Sequence, residues 1–372
     1  MQEKIQELLK EFNIDGEIKN THVFTSGHIN STIMVEVENG GKTKQYVLQK
    51  INHNVFKKPY EVMENISKVT NHIKNEIHKN GEKASRKVLK FYPAQDGRFC
   101  HETPDGEFWR AYRFVPKSVT FDGSSNLKVL EETGKAFGEF QEYLDNFPIS
   151  ELNITIPHFH NTVNRYELFR EAIERDSVKR VQNVWEDIYE YQDLEEIATR
   201  MYKMQKRGEL NLRVTHNDTK CNNVLFDEDS HEKLCVIDLD TVMPGLIGFD
   251  FGDAIRFGAS TSAEDEEDLS KVQIDLKKYD AFAKGFLSKV GKKLTPKEME
   301  TLSLGAITMT AECGLRFLTD YINGDTYFKT DYPEHNLVRA RCQLALAQSM
   351  IYNYEKMQDI IKANLNECLV EK

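Results

Sequence analysis

The sequence predicts an α+β fold with two lobes, a small β-rich N-terminal lobe and a larger, mainly helical C-terminal lobe. The chain has 372 residues, which is too many for a single small hydrophobic core. Alternating apolar residues and glycine-containing turns dominate residues 1–115, whereas apolar residues at helical spacing dominate residues 116–372. We therefore predict two domains with a boundary after residue 115.

The N-terminal lobe is expected to combine two helices with several strands. Residues 2–12 have the apolar spacing of a short amphipathic helix, and residues 59–79 have that of a longer one. Period-two alternation predicts strands at 17–24, 30–37, 44–51, 86–93 and 107–115. Gly-Gly and Asp-Gly pairs between these segments favour tight turns, so neighbouring strands are predicted to form hairpins.

Helical periodicity dominates the C-terminal lobe. The predicted helices are 128–145, 163–177, 184–206, 266–290, 296–320 and 336–363. Short strand-like segments interrupt them at 212–215, 223–226 and 233–239. The acidic run AEDEEDLS at 263–270 is expected to be the solvated start of a helix.

The composition is that of a soluble globular enzyme, with 40% hydrophobic and 29% charged residues. The formal net charge of −11 disfavours a general nucleic-acid binder, which would carry a basic excess. No two of the six cysteines have CxxC spacing, so we expect thiols in a reducing cytoplasm and no zinc site. No run of about 18 apolar residues is present, so neither a membrane span nor a membrane partner is expected.

The stretch VTHNDTKCNNVLFD at 214–227 contains His216, Asp218 and Asn223 in the spacing HxDxxxxN, and the strand-like VIDLD then supplies Asp238. In phosphoryl transfer, a carboxylate near the acceptor hydroxyl can orient it and take its proton. An amide oxygen and a second carboxylate suit Mg²⁺, which keeps waters and nucleotide phosphates as its other ligands. The pattern therefore favours Asp218 as base and Asn223 and Asp238 as metal ligands. His216 is expected to brace the loop.

Two other features of the sequence bear on the assignment of the base and the metal ligands. Asn and Asp are favoured in turns for local hydrogen-bonding reasons, so HNDTKCNN alone also suits a surface loop. Residues 250–252 spell Asp-Phe-Gly, the metal-binding tripeptide of protein kinases, but they lie 27 residues beyond Asn223 and follow PGLIG. We therefore assign the metal to Asp238, with Asp240 as a candidate second contributor. Asp250 is expected to cap a helix start or to brace the loop.

HNDTKCNN, VIDLD and the following MPGLIGFDFGDAIRFGA resemble the aminoglycoside phosphotransferase and choline kinase superfamily, most closely its N-acetylhexosamine 1-kinase branch. Further similar motifs are SGHINST at 26–32, YVLQKIN at 46–52, WRAYRFV at 109–115, GLRFLTDYINGDTYFK at 314–329 and HNLVRARCQ at 335–343. The resemblance implies a bilobal protein-kinase-like fold, ATP as phosphoryl donor and Mg²⁺ as cofactor. It implies the same roles for Asp218, Asn223 and Asp238, and a loop-bracing role for Asp250.

On the nucleotide side, SGHIN occupies the place of the loop that covers the nucleotide, and Gly27 is its one glycine. The third strand departs from the kinase-like pattern, which puts a Lys or Arg there to hold the phosphates, paired to a helix Glu. Alternation places Gln49 and Lys50 on opposite faces and leaves open which of them faces the nucleotide. We predict Lys50 as the phosphate contact, with Glu64 or Glu61 as its partner.

The segment at 112–115 resembles the hinge that offers backbone groups to adenine. Arg113 and Val115 are therefore expected in the nucleotide site. The sequence does not distinguish ATP from GTP.

On the acceptor side, Arg316 and Tyr327 match positions that lie near the sugar in the hexosamine kinase branch. Arg316 offers several donors in a fixed fork, and Tyr327 offers a hydroxyl and a ring face. The alternative is that Arg316 pairs with Asp320 one turn on, as an ordinary helix-surface pair. His28 and Asn30 are further candidates for contacts with sugar or phosphate.

These residues predict a kinase of a small hydroxylated molecule, with a free N-acetylhexosamine as preferred substrate and its anomeric hydroxyl as acceptor. The first alternative is a cationic acceptor, namely an aminoglycoside, choline or an amino alcohol, which would favour an acidic acceptor site. The second is a kinase-like binding module, and the intact set of Asp218, Asn223 and Asp238 argues against it. The sugar epimer and the oligomeric state stay open.

Overall fold

The computed structural model describes residues 2–24, 30–123 and 126–370, without the side chains of residues 369 and 370. The chain divides into two compact units. The first comprises Met1–Val119, Asn146–Pro157 and Leu225–Met243, and the second comprises Thr120–Asp145, His158–Val224 and Pro244–Lys372. The N-terminal region is built on a β-sheet and the C-terminal region on helices, so the predicted α+β fold class is confirmed.

The strands of the described residues include all but one of the predicted strands, although those predicted at 107–115 and 233–239 end early, at Arg113 and Val236. In chain order they are β1 (Glu17–Phe24), β2 (Ser31–Asn39), β3 (Lys42–Ile51), β4 (Phe91–Tyr92), β5 (His101–Glu102), β6 (Phe108–Arg113), β7 (Ser118–Val119), β8 (Arg213–Thr215), β9 (Val224–Asp227), β10 (Lys233–Val236) and β11 (Met243–Gly245). The exception is the segment 86–93, which is extended only in β4.

The α-helices of the described residues lie in both units. They are α1 (Gln2–Glu11), α2 (Pro59–Lys79), α3 (Leu127–Tyr143), α4 (Thr162–Arg175), α5 (Trp185–Asp193), α6 (Glu195–Lys206), α7 (Ile247–Gly258), α8 (Leu276–Val290), α9 (Pro296–Ile322), α10 (His335–Tyr352) and α11 (Tyr354–Val370). Within the described ranges, none of these helices is long and apolar enough to cross a membrane.

The sheet of the first unit sets the faces on which its functional residues lie. Its strand order is β1-β2-β3-β6-β4, with β5 also paired to β6, and the pairs are antiparallel. The register places Gln49 opposite both Thr32 of β2 and Arg110 of β6. The apolar face of α1 packs in one core with Leu48 and Trp109. Because neighbouring residues of a strand point to opposite faces, Gln49 and Arg110 lie on the face away from α1.

A second, three-stranded sheet of order β10-β9-β7 carries the VIDLD motif in the first unit. The strands β9 and β10, predicted as strand-like segments at 223–226 and 233–239, form a hairpin in this sheet. Asp238 follows β10 with a left-handed backbone (φ 57°), and Leu239–Thr241 form a short 3₁₀ turn directly after it. The end of β10 therefore sets the positions of Asp238 and Asp240 in the chain that follows it.

In the second unit, the helices predicted at 128–145 and 163–177 are confirmed as α3 and α4. The predicted single helix at 184–206 is two helices, α5 and α6. The helix start predicted in the acidic run at 263–270 is wrong, because α8 begins at Leu276. The side chain of Asp275 caps it by accepting hydrogen bonds from the backbone N–H groups of Lys277 and Lys278.

Glycines allow α7 and α9 of the second unit to approach closely. A Cβ atom on Gly252 would collide with the backbone of Gly305, and one on Gly305 would collide with the backbone of Gly248. The Asp-Phe-Gly tripeptide at 250–252 thus owes its glycine to helix packing. The close contact fixes α7, which carries Asp250 and Asp253.

Candidate active site

The HNDTKCNN segment forms a largely buried loop between β8 and β9. His216 is fully buried, and its ring packs edge-on against Phe137 and Phe140 of α3 at centroid distances of 5.4 and 5.9 Å. The backbone N–H of Asp218 donates to Nδ1 of His216 at 3.3 Å. The ring therefore connects the loop to α3, which is the geometry of a brace.

Asp250, in the first turn of α7, binds the backbone of the same loop. Its buried carboxylate accepts hydrogen bonds from the backbone N–H groups of His216 (2.9 Å) and Asn217 (2.8 Å). Nε2 of Gln141 donates to it as well, at 2.7 Å. Burial raises the pKa of Asp250, while the charge of His216 and these hydrogen bonds oppose the rise. The N-cap of α7 is Leu246, so the contacts of Asp250 are those of a loop brace.

Two neighbours orient the carboxylate of Asp218. Nδ2 of Asn223 donates to Oδ2 of Asp218 at 3.0 Å and to its backbone oxygen at 2.8 Å. Nζ of Lys220 lies 3.1 Å from the other carboxylate oxygen, Oδ1. Burial alone would lower the pKa of Lys220, but the carboxylates of Asp218 and Asp253 outweigh it and raise that pKa. Asp218 is therefore held beside a permanent cation.

The donor chemistry of the predicted metal ligands fits Mg²⁺. Asn223, in the second unit, uses its amide nitrogen for Asp218, which turns the amide oxygen away from that residue. Asp238, in the first unit, supplies a carboxylate. The described part of the chain contains no cluster of three or more His, Cys, Asp or Glu side chains that could hold a metal. Mg²⁺ does not need one, since it usually binds one or two protein oxygens together with waters and substrate phosphates.

Asp240, the candidate second contributor to the metal, is engaged by other groups of the first unit. It is 1% exposed, and its carboxylate forms a two-point ion pair with Arg110, in which Nη1 binds Oδ1 and Nη2 binds Oδ2 at 3.0 Å. Nδ2 of Asn30 donates to Oδ2 at 2.7 Å. These contacts argue against Asp240 as a metal ligand.

Gln49 and Lys50 lie on opposite faces of β3, as alternation predicts. Nε2 of Gln49 donates to Thr32 Oγ1 at 2.9 Å, and Oε1 of Gln49 accepts from Nε and Nη2 of Arg110 at 2.9 and 2.7 Å. Lys50 instead pairs with Glu107, with Nζ and Oε1 3.2 Å apart. Gln49 is thus the residue of β3 that shares a face with a buried cation.

The predicted pairing of Lys50 with a glutamate of α2 is wrong. Glu64 pairs with Lys68 at 2.7 Å, and Glu61 pairs with Lys58 at 3.0 Å. Each glutamate finds a lysine within one helical turn of its own chain segment, which is the nearest opposite charge on a helix surface. Lys50 lies on the α1 face of the sheet, where Glu107 is its neighbour.

The predicted hinge follows β6 and borders an apolar cluster of the first unit. The N–H of Arg113 donates to the carbonyl of Lys90 at 2.8 Å, and the N–H of Phe114 donates to that of Gln45 at 3.1 Å. Val115 is buried in the cluster, whose other members are Leu89, Phe91, Tyr112, Leu225, Leu234, Cys235 and Ile237. The hinge backbone at Val115 therefore lies next to this apolar cluster.

Asp320 folds the segment that carries Tyr327 in the second unit. Its carboxylate accepts hydrogen bonds from the backbone N–H groups of Thr326 (2.9 Å), Tyr327 (2.8 Å) and Phe328 (2.9 Å). The alternative pairing of Arg316 with Asp320 is wrong. The Arg316 guanidinium lies instead 5.7 Å from the ring centroid of Tyr327 and 5.3 Å from that of Phe328. Tyr327 itself is 70% exposed.

Arg165 of α4 is a second cation close to Arg316. Burial lowers the pKa of Arg165, and the charge of Arg316 lowers it further. Its Nη2 donates to the carbonyl of Phe159 at 2.8 Å. Its buried Nε has no hydrogen-bond partner among the described residues. Because an unsatisfied buried donor costs free energy, a ligand oxygen at this place would be stabilised.

Two predicted site residues, Gly27 and His28, lie outside the described residues. Asn30 is described, and both ends of its amide are used within the first unit. Nδ2 donates to Asp240 at 2.7 Å, and Oδ1 accepts from the backbone N–H of Asn52 at 2.9 Å.

Three charged residues of these sites are absent from the sequence-based assignment: Lys220, Arg110 and Arg165. Lys220 had a local signal, since it lies two residues after Asp218 in the same motif. Arg110 lies in the WRAYRFV motif, but its partner Asp240 is 130 positions away. Nothing in the sequence around Arg165 marks it, because its neighbours come from another helix.

Glu312 connects α9 to the HNDTKCNN loop through His160. Its Oε1 lies 2.9 Å from Nδ1 of His160, and its Oε2 accepts from Thr162 Oγ1 at 2.6 Å. Nε2 of His160 lies 3.2 Å from the backbone oxygen of Asn217. Burial alone would raise the pKa of Glu312, but His160 outweighs burial, with help from Arg165 and Thr162, and the pKa is lowered.

We expect Glu312→Gln to lower the free energy of unfolding at pH 7 by about 1–3 kcal/mol, because charge-assisted hydrogen bonds are replaced by neutral ones. A carboxyl with a lowered pKa stabilises the fold above its ordinary pKa of 4.5 and loses that contribution as the pH falls through the folded-state value. The difference from wild type, measured by urea unfolding, should therefore shrink below pH 4.5. Glu171→Gln, at an exposed position of α4, is the control. A difference that grows on acidification would contradict the assignment.

A comparison with protein families identifies the family of the chain. Residues 21–283 match the model of the phosphotransferase enzyme family, APH. The match covers more than half of the chain and includes HNDTKCNN and VIDLD. The chain belongs to this family. The contacts of Asp218, Asn223 and Lys220 are therefore contacts within a phosphotransferase.

Solved structures of similar fold accompany the family match. An aminoglycoside phosphotransferase from Alicyclobacillus acidocaldarius has a TM-score of 0.60 at 12% identity, covering 98% of this chain and 96% of that chain. The choline kinase of Cryptosporidium parvum has a TM-score of 0.56 at 14% identity, covering 98% of this chain and 99% of that chain. A spectinomycin phosphotransferase in complex with ADP and spectinomycin has a TM-score of 0.54 at 14% identity, covering 98% of each chain. At these identities the likeness shows the fold of the phosphotransferase and not its acceptor.

Proposed function

We propose that this phosphotransferase transfers the γ-phosphoryl group of ATP, with Mg²⁺, to the anomeric hydroxyl of a free N-acetylhexosamine. The observation that carries the reaction type is the loop in which Asn223 and Lys220 fix the carboxylate of Asp218. A carboxylate in a fixed orientation can receive the proton of a hydroxyl, and an adjacent cation can offset charge on a phosphoryl group.

In the proposed reaction, Asp218 orients the acceptor hydroxyl and takes its proton. The hydroxyl oxygen forms a bond to the γ-phosphorus as the bond between that phosphorus and the bridging oxygen of ADP breaks. Lys220 offsets negative charge on the transferred group. The sequence motif assigns Asn223 and Asp238 to Mg²⁺, which would supply the positive charge that neutralises the β- and γ-phosphates. No side chain is required as a covalent nucleophile.

For the nucleotide base we propose the apolar cluster that includes Val115. The N–H groups of Arg113 and Phe114 are already bound to carbonyls of the sheet, so we assign the backbone contact with the base to Val115. The apolar side chains around Val115 suit a flat aromatic ring. The ADP bound in the spectinomycin phosphotransferase structure supports a nucleotide donor.

The acceptor class is inferred from the two neighbouring arginines. Arg165 and Arg316 would repel a cationic acceptor, and their N–H groups suit hydroxyl and N-acetyl carbonyl oxygens. The exposed ring of Tyr327, next to Arg316, offers a face for a pyranose ring. These contacts support a neutral sugar over an aminoglycoside, choline or an amino alcohol, although two of the similar structures are named for aminoglycoside and choline substrates.

The proposal is tested by measuring ADP release with ATP and Mg²⁺ against a panel of acceptors. The panel comprises N-acetylglucosamine, N-acetylgalactosamine, glucose, galactose, kanamycin and choline. We expect turnover on the N-acetylhexosamines, and phosphorus NMR of the product should locate the phosphate on the anomeric oxygen. Turnover confined to kanamycin or choline would refute the sugar assignment. Binding of nucleotide without turnover on any acceptor would favour a kinase-like binding module.

We expect Arg316→Met to raise the KM for the N-acetylhexosamine about tenfold or more, because hydrogen bonds from a charged donor contribute about 1.5–3 kcal/mol. The KM for ATP should change little. Steady-state kinetics with each substrate varied separately measures both. Arg170→Met, which removes an exposed arginine of α4 paired to Glu195, is the matched control. An unchanged KM for the sugar would refute the assignment of Arg316 to the acceptor site. Faster turnover of choline by wild type than by Arg316→Met would refute it as well.

A further inference from the structure

The face of β3 that carries Gln49 holds a buried cation from the neighbouring strand. Arg110 of β6 stands directly opposite Gln49 in the register, and its side chain is 3% exposed. All three guanidinium nitrogens are engaged by Gln49 Oε1, the carboxylate of Asp240 and the sulfur of Met63. The positive charge that kinase-like enzymes place on the third strand is thus present one strand away.

The partner of this cation belongs to the VIDLD motif. Asp240 binds Arg110 through both oxygens, and Oδ2 also accepts from Asn30. Asn30 in turn accepts from the backbone N–H of Asn52, just after β3. The second acid of VIDLD is therefore tied to β6 by an ion pair and to the β2–β3 region by an amide. Such a two-point guanidinium–carboxylate pair fixes direction as well as distance.

This arrangement bears directly on Asp238, two residues before Asp240. Asp238 has a left-handed backbone conformation, which costs a non-glycine residue free energy and persists only when its surroundings hold it. The turn that follows is held at Asp240. Arg110 also interacts electrostatically with Asp238, so its charge offsets the repulsion between the two nearby carboxylates.

We propose that Arg110 is the positioning residue for Asp238. By clamping Asp240 it holds the VIDLD turn so that Asp238 presents its carboxylate to the Mg²⁺ of the nucleotide complex. Arg110 thereby replaces the Lys or Arg that kinase-like enzymes carry on the third strand. It acts on the metal-binding carboxylate and not on the phosphates themselves. The inference rests on the proposed use of Mg²⁺ and ATP and does not depend on the acceptor.

The competing assignment gives the phosphate contact to Lys50. Lys50 lies on the α1 face of the sheet and pairs with Glu107, which also accepts from Lys4 and from Nε1 of Trp109. Arg110 lies on the opposite face with Gln49. Lys50→Met is therefore the matched control, because it removes a cation from the same pair of strands on the other face.

The test compares binding of ADP with Mg²⁺ and of ADP with EDTA, measured by isothermal titration calorimetry without acceptor. We expect Arg110→Lys, which keeps the charge and loses the two-point fork, to weaken MgADP binding about 10- to 100-fold, the usual cost of losing a partner that orients a metal ligand. Binding of metal-free ADP should change little. Lys50→Met should leave both affinities close to those of wild type.

Each other outcome has a definite meaning. Equal losses for MgADP and metal-free ADP in Arg110→Lys would refute a role through Asp238. A loss in Lys50→Met without one in Arg110→Lys would restore the phosphate contact to Lys50. A wild-type protein that binds no MgADP would refute the proposed function, and this inference with it, whereas the first two results refute this inference alone.

A second variant covers the case in which Arg110→Lys does not fold, as judged by circular dichroism. Asn30→Ala keeps Arg110 and removes only the amide donor to Asp240. We expect it to weaken MgADP binding about 2- to 10-fold, the range of one hydrogen bond, and to leave metal-free ADP unaffected. A loss that is absent, or equal for both forms of ADP, would overturn the proposal.

Discussion

Asp218→Asn is expected to lower kcat by roughly 10²- to 10⁴-fold, the usual contribution of a positioned general base. The amide has the shape of the carboxylate it replaces but cannot take a proton from the acceptor hydroxyl. The KM for ATP should change little, because Asp218 is assigned to the acceptor. ADP release with a saturating N-acetylhexosamine measures the effect.

Two controls separate a chemical effect from a structural one. Asp229→Asn makes the same substitution at an exposed position and should retain wild-type turnover. The thermal midpoint of Asp218→Asn should stay close to that of wild type, since Asn223 keeps the backbone oxygen of residue 218 and the amide oxygen of the new side chain can accept from Lys220. Turnover within a few-fold of wild type would mean that Asp218 is not the base.

Asp250→Ala is expected to lower the free energy of unfolding by at least about 3 kcal/mol, because each buried donor left without a partner costs about 1–3 kcal/mol. The substitution removes the acceptor of three buried N–H bonds, those from the backbones of His216 and Asn217 and one from the amide of Gln141, which keeps its bond to the carbonyl of Val214. This is a large share of the stability of a typical domain. Urea unfolding followed by circular dichroism measures the change.

The accompanying loss of activity should follow from the same contacts. Asp250 binds the backbone immediately before Asp218, so its removal should also lower kcat. Asp229→Ala is the control, and as an exposed substitution it should change stability by less than about 0.5 kcal/mol. An unchanged urea midpoint in Asp250→Ala would show that the loop does not depend on this carboxylate.

The parts of the protein that could be predicted are those with a local pattern. The spacing of His216, Asp218 and Asn223 placed them in one loop, and the structure links them by hydrogen bonds within that loop. Alternation put Gln49 and Lys50 on opposite faces of β3. The start of α8 was missed although Asp275 is a good cap, because the acidic run before it mimics the charged first turn of a helix.

The partners of charged residues could not be predicted. Lys50 had several acidic candidates, and its helix partners were taken by Lys68 and Lys58, one turn away from each glutamate. Arg316 had Asp320 one turn on, yet that carboxylate binds three backbone N–H groups of the segment around Tyr327. In both cases a nearby group competed successfully for the acid.

Local sequence patterns predicted the α+β fold class and the strand that leads to Asp238. Apolar periodicity and motif spacing involve residues that are close together in the chain, so they can be recognised from the sequence. The pairing of Arg110 with Asp240 across 130 positions and of Gln141 with Asp250 across 109 arises from tertiary packing. Tertiary packing also places residues 146–157 and 225–243 in the first unit. The reason is that a charge or an amide can satisfy many partners equally well, and only the packing of strands and helices selects one.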